Sequence, residues 1–336
     1  MIRRIAVSAA LASLLVAIVG GLAIRRLLTP IAAEAAEAPN ALFVVSPGES
    51  LSDVARHLEQ AGLVRSGWAV EWLARGRGLA SQLRSGEYVL SSSLRPGEIL
   101  MRIAEGRVKT YEVVVPEGFT ARQIALRLGA AGLVDPQEFL RAARDPDFAD
   151  TIGVEGPGLE GYLFPETYRI PRGLSPEAIA RTFVAQFLAV WREIEELAEE
   201  RGVSMQEVVT MASIIEKETG DPDERPLIAS VFHNRLERGM RLETDPTVIY
   251  GIPDFDGNLR RSDLENADNP YNTYRIFGLP PGPIASPGAD SLRAAVEPAE
   301  TPYLYFVSRN DGTHSFSRTY REHKKAVDKH QRRRSR

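Results

Sequence analysis

The sequence predicts an α+β protein with three parts: an N-terminal transmembrane helix, a small α+β region and a larger C-terminal α+β domain. One uncharged apolar run of twenty residues lies close to the N-terminus. After it, amphipathic helix patterns alternate with short strand patterns. The hydrophobic content of 43% in 336 residues is enough for two folded units of ordinary size.

Composition excludes several kinds of site and partner. The chain contains no cysteine, which excludes disulfides, thiolate nucleophiles and cysteine-based metal sites. The net charge is −4, and no basic stripe interleaved with aromatic residues crosses the body of the chain, so we expect no nucleic-acid partner. The five histidines show no ligand spacing. We therefore predict neither a metal nor another cofactor.

The apolar run extends from Ile5 to Ile24 and lies between two pairs of arginines. Twenty residues span about 30 Å as a helix, which matches the core of a bilayer. A cleaved signal peptide is the alternative, because Ala33 to Ala35 resembles a cleavage site. The run is long for a signal peptide and is closed by two arginines. We therefore expect a cytoplasmic stub and single-pass membrane anchor over residues 1–29, followed by a linker over residues 30–40.

The next region contains an internal duplication with a spacing of about 70 residues. VVSPGESLSDVARHLEQAGLV, residues 44–64, matches VVVPEGFTARQIALRLGAAGLV, residues 113–134. Each copy predicts a β-strand, a turn and an amphipathic helix that ends at a glycine. These units resemble the LysM glycan-binding module, and we assign residues 41–150 to a LysM-like α+β region. A packing domain without a ligand is the alternative, because the matching positions are apolar or glycine.

The clearest helix of the C-terminal domain runs from Ser204 to Gly220 and carries two carboxylates in its last turn, Glu216 and Glu218. Ser204 and Glu207 form an S-x-x-E capping box, and Gly220 is a natural stop. The helix dipole is negative at this end, so it raises the pKa of a carboxyl there, and burial would raise that pKa further. Both glutamates are therefore candidate proton donors. The residues alone do not choose between them, although the dipole effect fades within a turn and favours Glu218.

The segments that follow place polar and aromatic residues in loops rich in proline and glycine. They are VFHNRL from Val231, LETDPTVIYG from Leu242 and YNTYRIFGLPPGPIASPG from Tyr271, and a β-hairpin that turns at Asp311 and Gly312 comes after them. Loops of this composition and length favour a functional role.

Together with GLEGYLFPETY, MASIIEKETG and TPYLYFV, these segments resemble the MltG/YceG-like family of membrane-anchored endolytic murein transglycosylases over nearly the whole chain. The resemblance implies a catalytic YceG-like domain over residues 151–325, and the lysines and arginines that follow form a basic tail over residues 326–336. It also implies a catalytic domain outside the cytoplasm, in the periplasm if the cell has an outer membrane. Peptidoglycan strands are the implied substrate, and peptidoglycan synthases are candidate partners. Family members cut between N-acetylmuramic acid and N-acetylglucosamine and leave a 1,6-anhydro end, which would terminate strand elongation.

The resemblance assigns the catalytic role to Glu218, the glutamate of the E-T pair in EKET. Glu218 would protonate the glycosidic oxygen and then act as base on the C6 hydroxyl of the substrate, whose intramolecular attack makes an enzyme nucleophile unnecessary. Glu216 would be a partly exposed neighbour whose negative charge raises the pKa of Glu218. Asn272 and Tyr274 resemble the Tyr-Asn element by which lytic transglycosylases hold substrate. The other residues assigned to substrate binding or support are Asn234, Thr244, Asp245, Tyr250 and Tyr271.

Two alternative functions stay open. Asp245 would be the second carboxylate of a muramidase-like hydrolase that uses Glu218 and leaves a reducing end. If the chain is instead a transglycosylase, Asp245 would be a structural cap that holds the turn at Pro246 and Thr247. From another class, the chain would be a non-catalytic glycan-binding scaffold of the wall-synthesis machinery.

Overall fold

The computed structural model describes residues 2–32, 38–154 and 156–331, with side chains from residue 11 onward. The chain divides into two compact units. The smaller unit contains Met1–Tyr111 and Ile170–Gly173, and the larger unit contains Glu112–Arg169 and Leu174–Arg336. This division places a boundary after Tyr111, whereas the boundary predicted from the sequence lies after residue 150. The second copy of the duplication belongs to the larger unit.

The N-terminal segment forms helix α1 (Ile2–Leu27), with Arg25 and Arg26 in its last turn. The predicted membrane span begins at Ile5, and the side chains before residue 11 lie outside the described part. Residues 33–37 of the predicted linker lie outside it as well. Among the described residues, no helix has both the length and the apolar character needed to cross a membrane. The structure thus does not confirm the membrane anchor, which stays a prediction.

The smaller unit forms a two-stranded antiparallel sheet covered by helices. Its elements are β1 (Ala41–Val45), α2 (Leu51–Gln60), α3 (Gly67–Gly76), β2 (Gly86–Leu90) and α4 (Pro96–Glu105). Phe43 of β1 lies opposite Tyr88 of β2, and both side chains belong to a buried core. Side chains alternate across a strand, so the neighbours Leu42 and Val44 are exposed. The likeness to a LysM module stays a prediction.

The larger unit is mostly helical and contains the sheet of β5 with β6 and most of the sheet of β3 with β4. The first two residues of β3 and the last two of β4 are assigned to the smaller unit. Its elements are β3 (Thr110–Val114), α5 (Ala121–Ala130), α6 (Pro136–Ala143), α7 (Pro146–Thr151), β4 (Thr167–Pro171), α8 (Pro176–Trp191), α9 (Glu195–Arg201), α10 (Met205–Glu218), α11 (Arg225–Glu237), α12 (Asp245–Tyr250), α13 (Arg261–Glu265), α14 (Ala289–Val296), β5 (Tyr305–Ser308), β6 (His314–Ser317) and α15 (Tyr320–His330). The predicted hairpin is confirmed, since β5 and β6 pair in antiparallel register.

The two copies of the duplication form the same order of elements. A strand, a capped helix and a second helix follow one another as β1, α2 and α3 and again as β3, α5 and α6. The side chains of Ser50 and Thr120 each accept the backbone N–H three residues later, which starts the first helix of each copy. Gly62 and Gly132 both have φ of 67°, the left-handed conformation that ends a helix.

Helix α10 is the buried helix of the larger unit that positions the predicted catalytic residue. The capping box of Ser204 and Glu207 is confirmed at its start, and every residue from Val208 to Ile215 is buried. The helix ends at Glu218 because Thr219 is extended, with φ of −142°. Gly220 follows directly, and its φ is not in the left-handed region that the prediction of a glycine stop implied.

The predicted basic tail begins inside α15, which packs against the β5–β6 hairpin. The ring of Tyr305 in β5 stacks on His323 with centroids 5.3 Å apart and contacts Tyr320 edge-on at 6.0 Å. Thr319 and Glu322 form a capping box at the start of this helix. Residues 332–336 of the tail lie outside the described part.

Candidate active site

Glu218 lies at the edge of an open cavity of about 450 Å³ in the larger unit. The end of α10 delivers the carboxyl, and residues 242–245, the β5–β6 hairpin and α15 supply the other walls. Arg235 of α11 holds one wall in place, because its guanidinium donates to the carbonyls of Leu242 and Leu304, both at 2.7 to 2.8 Å. A polymer that lies across this surface can thus reach the Glu218 carboxyl.

Burial raises the pKa of Glu218 to about 7. The negative charge of Asp245 raises this pKa too, whereas the hydrogen bond from Thr244 and the positive charges of His314 and Arg235 lower it. The raised pKa keeps a substantial fraction of this carboxyl protonated near neutral pH, as a general acid requires. The sequence predicted the direction of the shift but attributed it first to the helix dipole.

Thr244 contacts Glu218 directly. It occupies the N-cap position of α12, yet its hydroxyl makes no capping bond and donates instead to Oε1 of Glu218. Its backbone N–H donates to Oγ1 of Thr273 at 3.0 Å, and Thr273 and Thr247 share a further hydrogen bond at 2.8 Å. A buried threonine cluster thus fixes the residue that touches the candidate acid.

Asp245 and Tyr274 line the same cavity. The phenol of Tyr274 donates to Oδ1 of Asp245 at 2.7 Å, and burial raises the pKa of Tyr274. Asp245 opens α12 and is exposed, so its carboxylate faces solvent. The structure therefore brings three of the predicted support residues, Thr244, Asp245 and Tyr274, to Glu218.

Asn272 and Asn234 hold backbone in place outside this cavity. Asn272 is completely buried, and its amide donates to the carbonyls of three residues between 263 and 266. Its Oδ1 accepts the backbone N–H of Tyr274 at 3.0 Å, so Asn272 positions the tyrosine. The amide of Asn234 donates to the carbonyls of Thr301 and Tyr303 at 2.7 and 2.9 Å.

Glu216 is a buried anchor, which corrects the expectation of a partly exposed acid. Its side chain is 6% exposed and forms an ion pair with the equally buried Arg225 at 3.4 Å. The other carboxylate oxygen accepts the backbone N–H of Gly288 at 3.0 Å and the hydroxyl of Ser291 at 2.8 Å. Glu216 therefore ties α10 to the start of α14. The like charge beside Glu218 comes from Asp245 and not from Glu216.

Tyr250 and Tyr271 lie at a second cavity, of about 510 Å³, which we call the Glu160 cavity. Their rings meet edge-on with centroids 4.8 Å apart, and the Tyr250 hydroxyl donates to Oε2 of Glu160 at 3.1 Å. Burial raises the pKa of Glu160 to about 7. Glu160 is not among the residues predicted from the sequence, although it lies in the motif GLEGYLFPETY, which could have indicated it.

His314 is a further residue of the Glu218 cavity. Its Nδ1 lies 2.6 Å from Oε2 of Glu224, and both side chains are 11% exposed. His314 therefore forms a hydrogen bond with Glu224 and also lines the cavity that contains Glu218. No cluster of three or more histidine or acidic residues suited to a metal occurs in the described part of the chain.

The model of the YceG-like family matches residues 43–329. An endolytic murein transglycosylase of Bacillus subtilis (strain 168) is 32% identical over 302 residues, which cover 85% of this chain and 83% of the relative. A protein of the same name from Streptococcus pneumoniae serotype 2 is 27% identical over 317 residues, and the match covers only 57% of that longer relative. The crystal structure of a YceG-like protein from Listeria monocytogenes is 32% identical, with a TM-score of 0.59, and the match covers 86% of this chain and 99% of that chain.

Proposed function

This chain belongs to the YceG-like family, and we propose that it is an endolytic murein transglycosylase with Glu218 as its acid and base. The observation that carries the proposal is the Glu218 carboxyl, whose pKa burial raises to about 7 at the wall of an open cavity. Relatives that match most of this chain are named endolytic murein transglycosylases. The proposed substrate is the glycan strand of peptidoglycan.

In the first step, protonated Glu218 donates its proton to the glycosidic oxygen between N-acetylmuramic acid and N-acetylglucosamine. The bond from the anomeric carbon to that oxygen breaks, and its electron pair leaves with the N-acetylglucosamine. Thr244 hydrogen-bonds to the carboxylate that remains and stabilises its charge.

In the second step, the Glu218 carboxylate takes the proton of the muramic acid C6 hydroxyl. The hydroxyl oxygen then bonds to the anomeric carbon and closes a 1,6-anhydro ring. Glu218 ends protonated, and no water is consumed. A group with a pKa near the working pH can both give and take a proton, and the attack within one sugar has a high effective molarity.

The proposed location is the outer face of the cell membrane. It is supported by the uncharged run from Ile5 to Ile24 in the sequence and by the cell-wall substrate in the relatives' names. We propose that the N-terminal helix anchors the enzyme, that the smaller unit is a LysM-like module, and that cleavage ends the elongation of strands made by neighbouring peptidoglycan synthases.

One observation favours a second candidate, a muramidase-like hydrolase. Asp245 is an exposed carboxylate in the same cavity as Glu218 and receives a hydrogen bond from Tyr274. In a hydrolase, Asp245 would activate a water or attack the sugar, and the product would carry a reducing end. The two functions differ by one water in the mass of the muramic acid product.

The test is digestion of uncrosslinked glycan strands by the full chain in detergent, with mass analysis of the products. We expect muramic acid ends that lack one water, and a loss of about 100-fold to 10,000-fold in rate for Glu218→Gln. Glu199→Gln, which changes an exposed acid on α9, is the matched control and should cut like the parent. Reducing ends would favour the hydrolase. If the parent, Glu218→Gln and Glu199→Gln all bind strands and none of them cleaves, the result would support the non-catalytic scaffold instead.

A further inference from the structure

The Glu160 cavity contains a carboxyl that the proposed reaction does not use. Oε1 of Glu160 accepts the backbone N–H of Ala121 at 2.9 Å, and Oε2 accepts the Tyr250 hydroxyl at 3.1 Å. Glu160 remains partly accessible and lines the cavity. With a volume of about 510 Å³, the cavity lies within the usual size range of small-ligand sites.

The charges at this cavity favour an anionic ligand. Arg122 is paired with Asp254 at 3.2 Å, so these two charges balance. Arg144 is exposed at the rim, and its guanidinium has no hydrogen bond or ion pair to another described residue. Burial raises the pKa of Glu160 to about 7 although the charge of Arg144 lowers it, so much of that carboxyl is neutral at physiological pH and offsets only part of the Arg144 charge. The remaining positive charge of Arg144 is available to a ligand, and guanidinium groups pair well with carboxylates.

The remaining walls suit the uncharged body of such a ligand. Tyr250 and Tyr271 present an edge-on pair of rings, and Pro157 and Pro283 add apolar surface. The Tyr250 hydroxyl and the Glu160 carboxyl supply hydrogen-bonding atoms beside these rings. A carboxylate attached to a sugar or to a short peptide matches this combination of apolar and polar walls.

Helix α12 connects this cavity to the candidate catalytic site. Asp245, its first residue, lines the Glu218 cavity, and Tyr250, its last residue, lines the Glu160 cavity. Five residue steps along an α-helix correspond to about 8 Å. The two cavities therefore adjoin opposite ends of one short helix.

We propose that the Glu160 cavity is a second binding site for the murein strand, in which Arg144 pairs with a carboxylate on the side chain of a muramic acid. This inference rests on the proposed function. The carboxylate belongs either to the stem peptide or, where the peptide has been removed, to the free lactyl group. Both sources present the same chemistry to Arg144.

The test measures binding by the full chain in detergent, in a Glu218→Gln background so that no ligand is cut. The three probes are peptide-bearing glycan strands, strands stripped of peptide by an amidase, and uncharged N-acetylglucosamine oligomers. Arg144→Gln removes the charge, Arg144→Lys retains it, and Arg141→Gln is the matched control because Arg141 is an exposed arginine on α6 outside the cavity.

We expect Arg144→Gln to weaken binding of a carboxylate-bearing strand by about tenfold, the loss of one charge-assisted hydrogen bond. Arg144→Lys should recover part of this loss, and Arg141→Gln should cause none. An effect confined to peptide-bearing strands identifies the stem peptide, and an effect on stripped strands identifies the lactyl group. An equal loss for the uncharged oligomers, or no loss for any probe, would overturn the proposal.

A second variant separates binding from folding. Tyr250→Phe removes the hydroxyl that donates to Glu160 and keeps the ring, so it should weaken strand binding without lowering the unfolding midpoint by more than a few degrees.

Cleavage by the chain with Glu218 intact is measured in parallel. If that chain cuts neither strand while binding still depends on Arg144, the proposed function fails and the binding site stands.

Discussion

The Thr244 hydroxyl donates a hydrogen bond to Oε1 of Glu218. Thr244 directly precedes α12, and Glu218 is the last residue of α10, so the bond joins the start of one helix to the end of the other. The bond favours the ionised carboxyl and thereby opposes the effect of burial on its pKa. Glu218 is thus held close to a pKa of 7, where it can act in both protonation states.

Replacing Thr244 by valine should move the pH dependence of cleavage. The donor lowers the pKa of Glu218, so its removal raises that pKa. The acid works when protonated, and its rate falls as the pH rises through the pKa. We therefore expect the high-pH limb of the pH–rate profile to move upward by about one pH unit. Thr244→Ser keeps the hydroxyl and should leave the limb in place, and a downward shift for the valine variant would contradict this account.

Replacing Asp245 by asparagine should have the opposite effect on the same limb. The charge of Asp245 raises the pKa of Glu218, so Asp245→Asn should lower the pKa and move the high-pH limb downward. The transglycosylase needs no second carboxylate, and its rate at the optimum should fall by less than about tenfold. A hydrolase would lose about 100-fold or more with its water activator. Product mass and rate on glycan strands distinguish these results.

Glu216→Gln should reduce stability without abolishing catalysis. Glu216 and Arg225 are both 6% exposed, but Arg225 keeps its ion pairs with Glu117 at 3.0 Å and Asp290 at 3.2 Å, so the loss of one buried partner should cost about 1–2 kcal/mol. Glu297→Gln is the control, because its pair with Arg293 at 3.0 Å is about half exposed and is worth less than about 0.5 kcal/mol. Denaturant unfolding measures both changes. If the rate per folded molecule fell as far as in Glu218→Gln, the structural role of Glu216 would be wrong.

Gly161→Ala should destabilise the chain more than Gly173→Ala. Both glycines have a positive φ, of 87° and 88° respectively, which costs about 1 kcal/mol for alanine. A Cβ on Gly161 would lie 2.5 Å from Pro283 and 2.8 Å from Val209, whereas Gly173 has open space. Overpacking should raise the cost of Gly161→Ala to about 3 kcal/mol. Equal losses in unfolding free energy for the two variants would disprove the steric argument.

Local sequence signals predicted much of the fold. The capping box at Ser204 and the hairpin around Gly312 depend on residues within a few positions of each other, and both are confirmed. The boundary between the two units was not predictable in this way. It depends on which unit the second repeat packs with, and the repeat pattern is the same in both copies.

The roles of the acids depended on partners distant in sequence. Glu216 and Glu218 are two positions apart, but their roles are set by Ser291 in one case and Thr244 in the other, 75 and 26 residues away. Tyr250 was assigned to substrate binding or support, and its hydroxyl contacts Glu160, 90 residues earlier in the chain. Neither helical periodicity nor charge pattern contains such information, whereas the family motif was sufficient to choose Glu218.

Helix α15 brings residues from near the end of the described chain to the cavity of Glu218. Tyr320, His323 and Val327 of this helix form one wall of the Glu218 cavity. A chain cut before Tyr320 would therefore keep Glu218 but lack one wall of its cavity.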